Sequence, residues 1–348
     1  SAAGAEAPEM EADKVLPAGL GMQGAANLGG LKFGKVTLGK MNFKLALKKQ
    51  VFTESGAIAG YQGNIQENVR LDFTQKLLGY GVNAELKNVD VQPLLNDVVD
   101  TFVAAKLKKP EIISEIKDKL TGHLSGKLQI NGAGVSSQVA KPRLTGSGTF
   151  NLQDGRLRKF AFQDQLAGLF GSDKFRQDIP FDNTAINFTL AQQVVDLTKF
   201  DMSSGAQGEG GDIRLWAQGK IKFTADFENF HLRPSLNPRA ASNLSSQFRQ
   251  YAEVLKDDRG WLTIPVVMNG AVKSPTVVPD WDWIKKQFAG YAGKKLGFAA
   301  NAAGQKLQGF VNSQQGKAPE QIQQNAAQEL EKAKEQLKNL DGLKNLFK

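Results

Sequence analysis

The chain has 348 residues, 41% hydrophobic and 23% charged, with a net charge of +9. That length suits one large β domain or two ordinary ones, and the composition is neither that of a disordered chain nor of a collagen. Zero cysteines exclude disulfides, thiol nucleophiles and thiolate metal sites, and His123 and His231, the only histidines, are too few and too distant for a multi-histidine metal centre. No uninterrupted apolar run is long enough for a spanning helix.

Ser1–Ala7 is small and soft and reads as a processed or cut terminus, which leaves room for a signal or anchor upstream. Residues 1–30 as a whole read as a flexible leader. From Leu31 the pattern turns to period-2 alternation. Phe43, Leu45 and Leu47 share one face against Lys44 and Lys48, Val69, Leu71 and Phe73 repeat the pattern, and Val82, Ala84 and Leu86 continue it. Asp90 then reads as an N-cap, with Pro93 in the first turn and Leu94, Leu95, Val98, Val99, Phe102, Val103 and Leu107 at helical spacing. A second short helix is expected over 111–120.

Strands return after Thr121. Leu128 and Ile130 alternate, as do Phe150 and Leu152, and Asp154-Gly155 signals a two-residue hairpin with 157–162 as its return strand. A brief helix is expected over 163–170. Ile186, Phe188 and Leu190 alternate next, then Ile213, Leu215 and Ala217, then Ile221, Phe223, Ala225 and Phe227. Residues 239–255 read as a helix and 261–268 as a last strand, before a proline-marked exit at Pro275 and Pro279.

This pattern predicts a mainly β protein. A long curved antiparallel sheet over 31–280, a β-groove or partial barrel, would carry short capping helices near 91–120 and 239–255, followed by an amphipathic helical tail over 281–348. One face is apolar and one wet, so the apolar face needs a cover. A second sheet, closure into a barrel, or bound apolar cargo would each supply one.

Two stretches carry a resemblance. Residues 120–162, LTGHLSGKLQINGAGVSSQVAKPRLTGSGTFNLQDGRLRKFAF, and 265–281, PVVMNGAVKSPTVVPDW, resemble the carboxy-terminal region of the AsmA-like family of bacterial envelope proteins. The first matches a G-x-L-x-G-x-G strand followed by L-x-G-x-G-x-F-x-L-x-D-G-x-L. The helix opening VDVQPLL sits where the family has one, whereas Lys159–Phe162 departs from the family's acidic turn. The resemblance spans about residues 31–281. It implies a periplasmic protein anchored to the inner membrane through a segment absent from this chain. It also implies, with TamB-like relatives, a β-groove that carries lipids between membranes in support of outer-membrane assembly.

On that basis Leu128, Ile130, Phe150, Leu152, Ile186, Phe188, Leu190, Ile213, Leu215, Ile221, Phe223 and Phe227 are the expected lipid-binding residues, with phospholipid or another acyl lipid as the partner. The expected role is non-enzymatic, with no catalytic residues, metal or cofactor. The alternative is an envelope scaffold or assembly factor with a closed β core and a partner-binding helical tail. In that tail Ile284, Phe288, Tyr291, Phe298, Ala302 and Phe310 fall along one helical face beside lysines, so Trp281, Trp283, Phe288 and Phe298 are expected to contact a membrane surface. A second stripe from Ile322 to Leu340 fits a hairpin partner, a coiled-coil seam or a protein partner.

Other motifs carry less. Gly19–Gly24 fits G-x-G-x-x-G but follows no strand, and Ser114–Lys117 fits S-x-x-K without its companion motifs. Arg156, Arg158, Lys159 and Phe160 form the best basic, aromatic patch, too small to argue for nucleic acid.

Overall fold

Alternating sequences form strands because a period of two puts every apolar side chain on one side of the pleat. The computed structural model, which describes residues 9–103, 117–170, 172–203, 211–242, 255–257 and 259–287, is mainly β on this principle. Strands β1 (Met22–Leu28), β2 (Leu31–Phe33), β3 (Val36–Leu38), β4 (Met41–Lys48), β5 (Val51–Gly60), β6 (Gly63–Asp72) and β7 (Gly79–Asp90) precede helix α1 (Val91–Val98). Strand β8 (Leu120–Ala133), helix α2 (Ser137–Arg143), strand β9 (Thr145–Leu157), helix α3 (Ala161–Phe170), and strands β10 (Ile179–Ala191), β11 (Val194–Ser203), β12 (Ile213–Lys222) and β13 (Asp226–Leu236) follow. Helix α4 (Pro238–Ala241) and strands β14 (Leu262–Thr263), β15 (Val266–Ala271) and β16 (Thr276–Pro279) complete the order.

Fourteen of these strands form one antiparallel sheet, running β1-β4-β5-β6-β7-β8-β9-β10-β11-β12-β13-β15-β16 with β14 on β13, and the sheet does not close. Nearly every neighbour in the sheet is a neighbour in sequence, the arrangement of a meander.

Several expectations need correction. Residues 22–28 are not leader: β1 pairs with β4 from Met22↔Leu47 to Leu28↔Met41. As the outermost strand of the sheet it is largely exposed, and the segment before it is tied down. Ala12 is fully buried, and the Glu9 carboxylate accepts from the Val135 and Ser136 amides at 2.8 and 2.9 Å.

Asp154-Gly155 is not a turn. β9 runs straight through it, and the register shift between Thr121↔Arg156 and His123↔Gln153 makes the pair a bulge, with Asp154 at φ 51°. Consequently 161–162, expected to end a return strand, instead open helix α3, and the helix expected over 163–170 is present as the rest of it. The two-residue turns lie elsewhere, at Lys49-Gln50, Tyr61-Gln62 and Gln192-Gln193, all with positive φ.

Asp90 does cap α1, its Oδ1 accepting from the Gln92 amide at 3.3 Å. The helix passes into a π turn over Val99–Val103, and residues 104–116 lie outside the described residues. The expected second helix does not reach 120, since Leu120 already begins β8. Of the helix expected over 239–255, α4 accounts for the start, and 243–254 lie outside the described residues. Within the expected last strand, a break at Ile264-Pro265 separates β14 from β15.

The chain divides into two compact units, Ser1–Pro234 with Met268–Val277, and Ser235–Val267 with Val278–Lys348. In the first, α1 packs on β7 and β8, and the excursion between β9 and β10 buries Leu166, Ala167 and Phe175. Gln163, itself buried, secures that excursion by donating to the Phe175 and Gln177 carbonyls and accepting from the Phe160 amide. In the second unit, Ala240, Trp261, Leu262, Ile264 and Val266 are buried. Asp280 caps a helix over 281–287, accepting from the Trp283 amide at 3.0 Å.

Candidate functional site

Antiparallel partners point to the same side of a sheet, so the pairing can be followed from strand to strand as rows. One row reads Leu45, Glu54, Val69, Val82, Ile130, Gly146, Leu190, Val195, Ile221 from β4 to β12. A second row, one step along the strands, reads Phe43, Gly56, Glu67, Ala84, Leu128, Gly148, Phe188, Leu197, Gly219. The third row is Met41, Ile58, Ile65, Leu86, Gly126, Phe150, Ile186, Phe200, Ala217. A fourth joins Val89, Leu124, Leu152, Thr184, Met202 and Leu215. Nine strands at about 4.8 Å spacing make each of the first three rows roughly 38 Å long.

Burial grades across the rows. In the fourth, all but Leu124 are buried, and Leu152, Thr184, Met202 and Leu215 are 1% exposed or less. This is the side of the sheet from which the α1 and α3 segments leave and return. The first and second rows are half-buried, apart from Leu190 at 7% and the buried Gly148. The opposite face is polar: Lys127, Gln129, Thr149, Asn151, Asn187 and Lys220 alternate with the row residues. The Trp216 ring on that face carries the Arg233 guanidinium at 3.9 Å. Hollows on the polar face are lined by groups such as Lys44, Thr53, Asn68, Arg70 and Asn83.

The glycines in the second row have a definite function. A Cβ on Gly148 would stand 2.4 Å from the Phe188 ring and 2.7 Å from that of Phe150, and one on Gly56 would stand 2.4 Å from the Phe43 ring. Absent side chains therefore let phenyl rings lie down over the backbone. Phe150 and Phe188 are stacked there with centroids 6.2 Å apart.

Of the twelve residues expected to bind lipid, nine fall in these rows, and Ile213 shares their face two residues before Leu215. Leu152, Leu190, Ile213 and Leu215 are covered by the protein itself, at 1%, 7%, 5% and 1% exposure, and so do not line an accessible surface here. Leu128, Ile130, Phe150, Ile186, Phe188 and Ile221 are half-buried. Phe223 lies just past the end of β12 at 40% exposure, and Phe227 packs on Phe230 with centroids 4.7 Å apart. Sequence reading missed Leu197 and Phe200 on β11 and Glu67 on β6, and above all Glu54, because β5 does not alternate cleanly.

Glu54 and Glu67 are the only charged side chains in the four rows. Burial pushes Glu54 up to about 7, with the Glu67 charge adding to it, and burial raises Glu67 as well.

Trp281 and Trp283 are half-buried in the helix over 281–287, whereas Phe288 and Phe298 lie outside the described residues. Among the described residues no helix is long and apolar enough to cross a membrane, and no group of three or more His, Asp or Glu is arranged to hold a metal. Arg158 of the basic patch faces Asp178 at 3.4 Å.

Comparison of the chain with family models, with curated proteins and with solved structures finds no match.

Proposed function

We propose that the apolar face of β4–β12 binds acyl lipid and that the protein carries lipids between membranes of the bacterial envelope, without chemistry on its cargo. One observation carries this reading: two register-matched rows, continuous over nine strands, hold half-buried apolar side chains with phenyl rings laid flat between them. Burying sixteen methylenes at about 0.8 kcal/mol each yields about 13 kcal/mol, and a continuous row recovers more of that than isolated pockets. Register shifts on β7, β9, β10 and β11 favour curling of the sheet around such a chain. Resemblance to the AsmA-like family supplies the compartment in this proposal: a periplasmic location, an inner-membrane anchor outside this chain, and a membrane-facing tail beginning at Trp281 and Trp283.

Photocrosslinking amino acids tested in cells separate the faces. Phospholipid capture is expected at Phe188 and Leu128, and little at Asn187 and Gln129 on the polar side. Equal capture on both faces overturns the proposal. The envelope-scaffold reading is favoured instead if protein purified without detergent carries no extractable lipid, since the buried fourth row then represents the whole of its core.

A further inference from the structure

Glu54 and Glu67 interrupt an otherwise uncharged surface at one place. Glu54 stands in the first row between Leu45 and Val69, and Glu67 in the second between Gly56 and Ala84. The pairings Glu54↔Val69 and Gly56↔Glu67 make the two carboxylates diagonal neighbours on adjacent strands. Glu54 Oε1 is shielded from solvent and has no hydrogen-bond partner.

Among the described residues of the neighbouring strands, no cation faces them. From β4 the neighbours are Phe43 and Leu45, with Lys44 and Lys48 on the polar side. From β6 Glu67 is the only charge, since Arg70 points away and binds Asp72 at 2.7 Å. From β7 the neighbours are Val82 and Ala84, with Glu85 and Lys87 on the polar side. Strand β1 carries no charged residue at all.

Resting on the lipid-binding reading above, we infer that protonation of Glu54 and Glu67 controls occupancy of this face: neutral, the pair completes two apolar rows for an acyl chain; ionised, it holds water over β5 and β6 and turns the chain away. Two like charges on an apolar surface favour neutral forms, and the raised Glu54 value near 7 places the change close to neutrality. An acyl chain laid over the carboxyls removes more water and raises both values further. By linkage, lipid binding then takes up protons, and rising pH releases lipid.

The test uses the full chain and a phosphatidylcholine with a fluorescent acyl chain, whose headgroup does not titrate between pH 6 and 8.5. Affinity is expected to fall about tenfold from pH 6 to pH 8.5, equivalent to one unit of differential protonation. The Glu54→Gln, Glu67→Gln double variant is expected to bind at both pH values as tightly as the wild type does at pH 6. Glu85→Gln on the polar face keeps the wild-type dependence, and circular dichroism verifies that the variants fold. Binding by the wild type that ignores pH, or a double variant that retains the full slope, overturns this inference and leaves lipid binding standing. Absence of binding at every pH removes both.

Discussion

The fourth row and the first two rows are built from the same residue types on the same face, yet they end in different states. Leu152, Met202 and Leu215 are sealed, whereas Leu128, Phe188 and Leu197 remain half open. The difference lies in what the chain does at each edge of the rows. On the sealed side it leaves the sheet to make α1 and the 158–178 excursion, and those segments bring buried Val91, Leu166 and Phe175. On the other side, β4–β5 and β10–β11 are joined by two-residue turns, and α2, which joins β8 to β9 there, has no buried residue. Stability therefore concentrates in one band of the face, and the neighbouring band contributes less to it.

The largest expected effect follows directly. Leu152→Ala is expected to lower unfolding stability by about 2–5 kcal/mol, as a buried leucine cavity does. Leu128→Ala should cost less than about half of that, because water already reaches its side chain. Urea denaturation of both variants checks the contrast, and equal losses would break it.

Turn repair is expected to have the next largest effect. Gln192 and Gln193 occupy the left-handed region at φ 51° and 63°, where a side chain other than Asn or Gly is strained. Gln192→Asn with Gln193→Gly should raise stability by about 1–2 kcal/mol without altering either band, so acyl-probe affinity should stay constant. A change in affinity would mean that the turn itself contributes to the open rows.

These turns also explain what was legible in the sequence. Alternation located most of the strands, and it placed ten of the twelve expected residues on one face. It could not locate turns built from Lys-Gln, Tyr-Gln and Gln-Gln, because none carries the Asn or Gly that such turns ordinarily need. Conversely, the strongest turn signal, Asp154-Gly155, became a bulge, since Gly122 and Gly155 let β8 and β9 approach closely: a Cβ on Gly155 would meet the Thr121 carbonyl at 2.1 Å. A bulge is defined by the partner strand, which no local window contains. Sealing of the fourth row was equally hidden, because alternation along a strand gives the face of a side chain and not what packs on that face. Glu54 escaped notice because Val51–Gly60 has small residues on both faces, and its isolation emerges only when five neighbouring strands are aligned.

A smaller effect, about 1 kcal/mol, is expected within the sealed band. Thr184 is 1% exposed between Leu152 and Met202, and its Oγ1 has no hydrogen-bond partner. Thr184→Val replaces the hydroxyl with a methyl of similar shape and should stabilise the protein, read again from urea midpoints. A loss of stability would instead place a polar partner against that side chain.

The smallest effect is expected at Glu54, where both carboxyls are half-buried and water still screens part of their interaction. Unfolded, Glu54 titrates near its ordinary 4.5; folded, near 7. Between those values the folded protein holds the additional proton, so its stability is greatest below about pH 4.5, declines as pH rises toward 7, and is level beyond. Glu67 is shifted in the same direction by burial and steepens the decline. Relative to wild type, Glu54→Gln should therefore be equally stable at pH 4 and more stable at pH 8, with the double variant showing the larger gain. If the wild type instead gains on the variant as pH rises, a cation must neutralise the pair, and the open band would be charged rather than apolar near neutral pH.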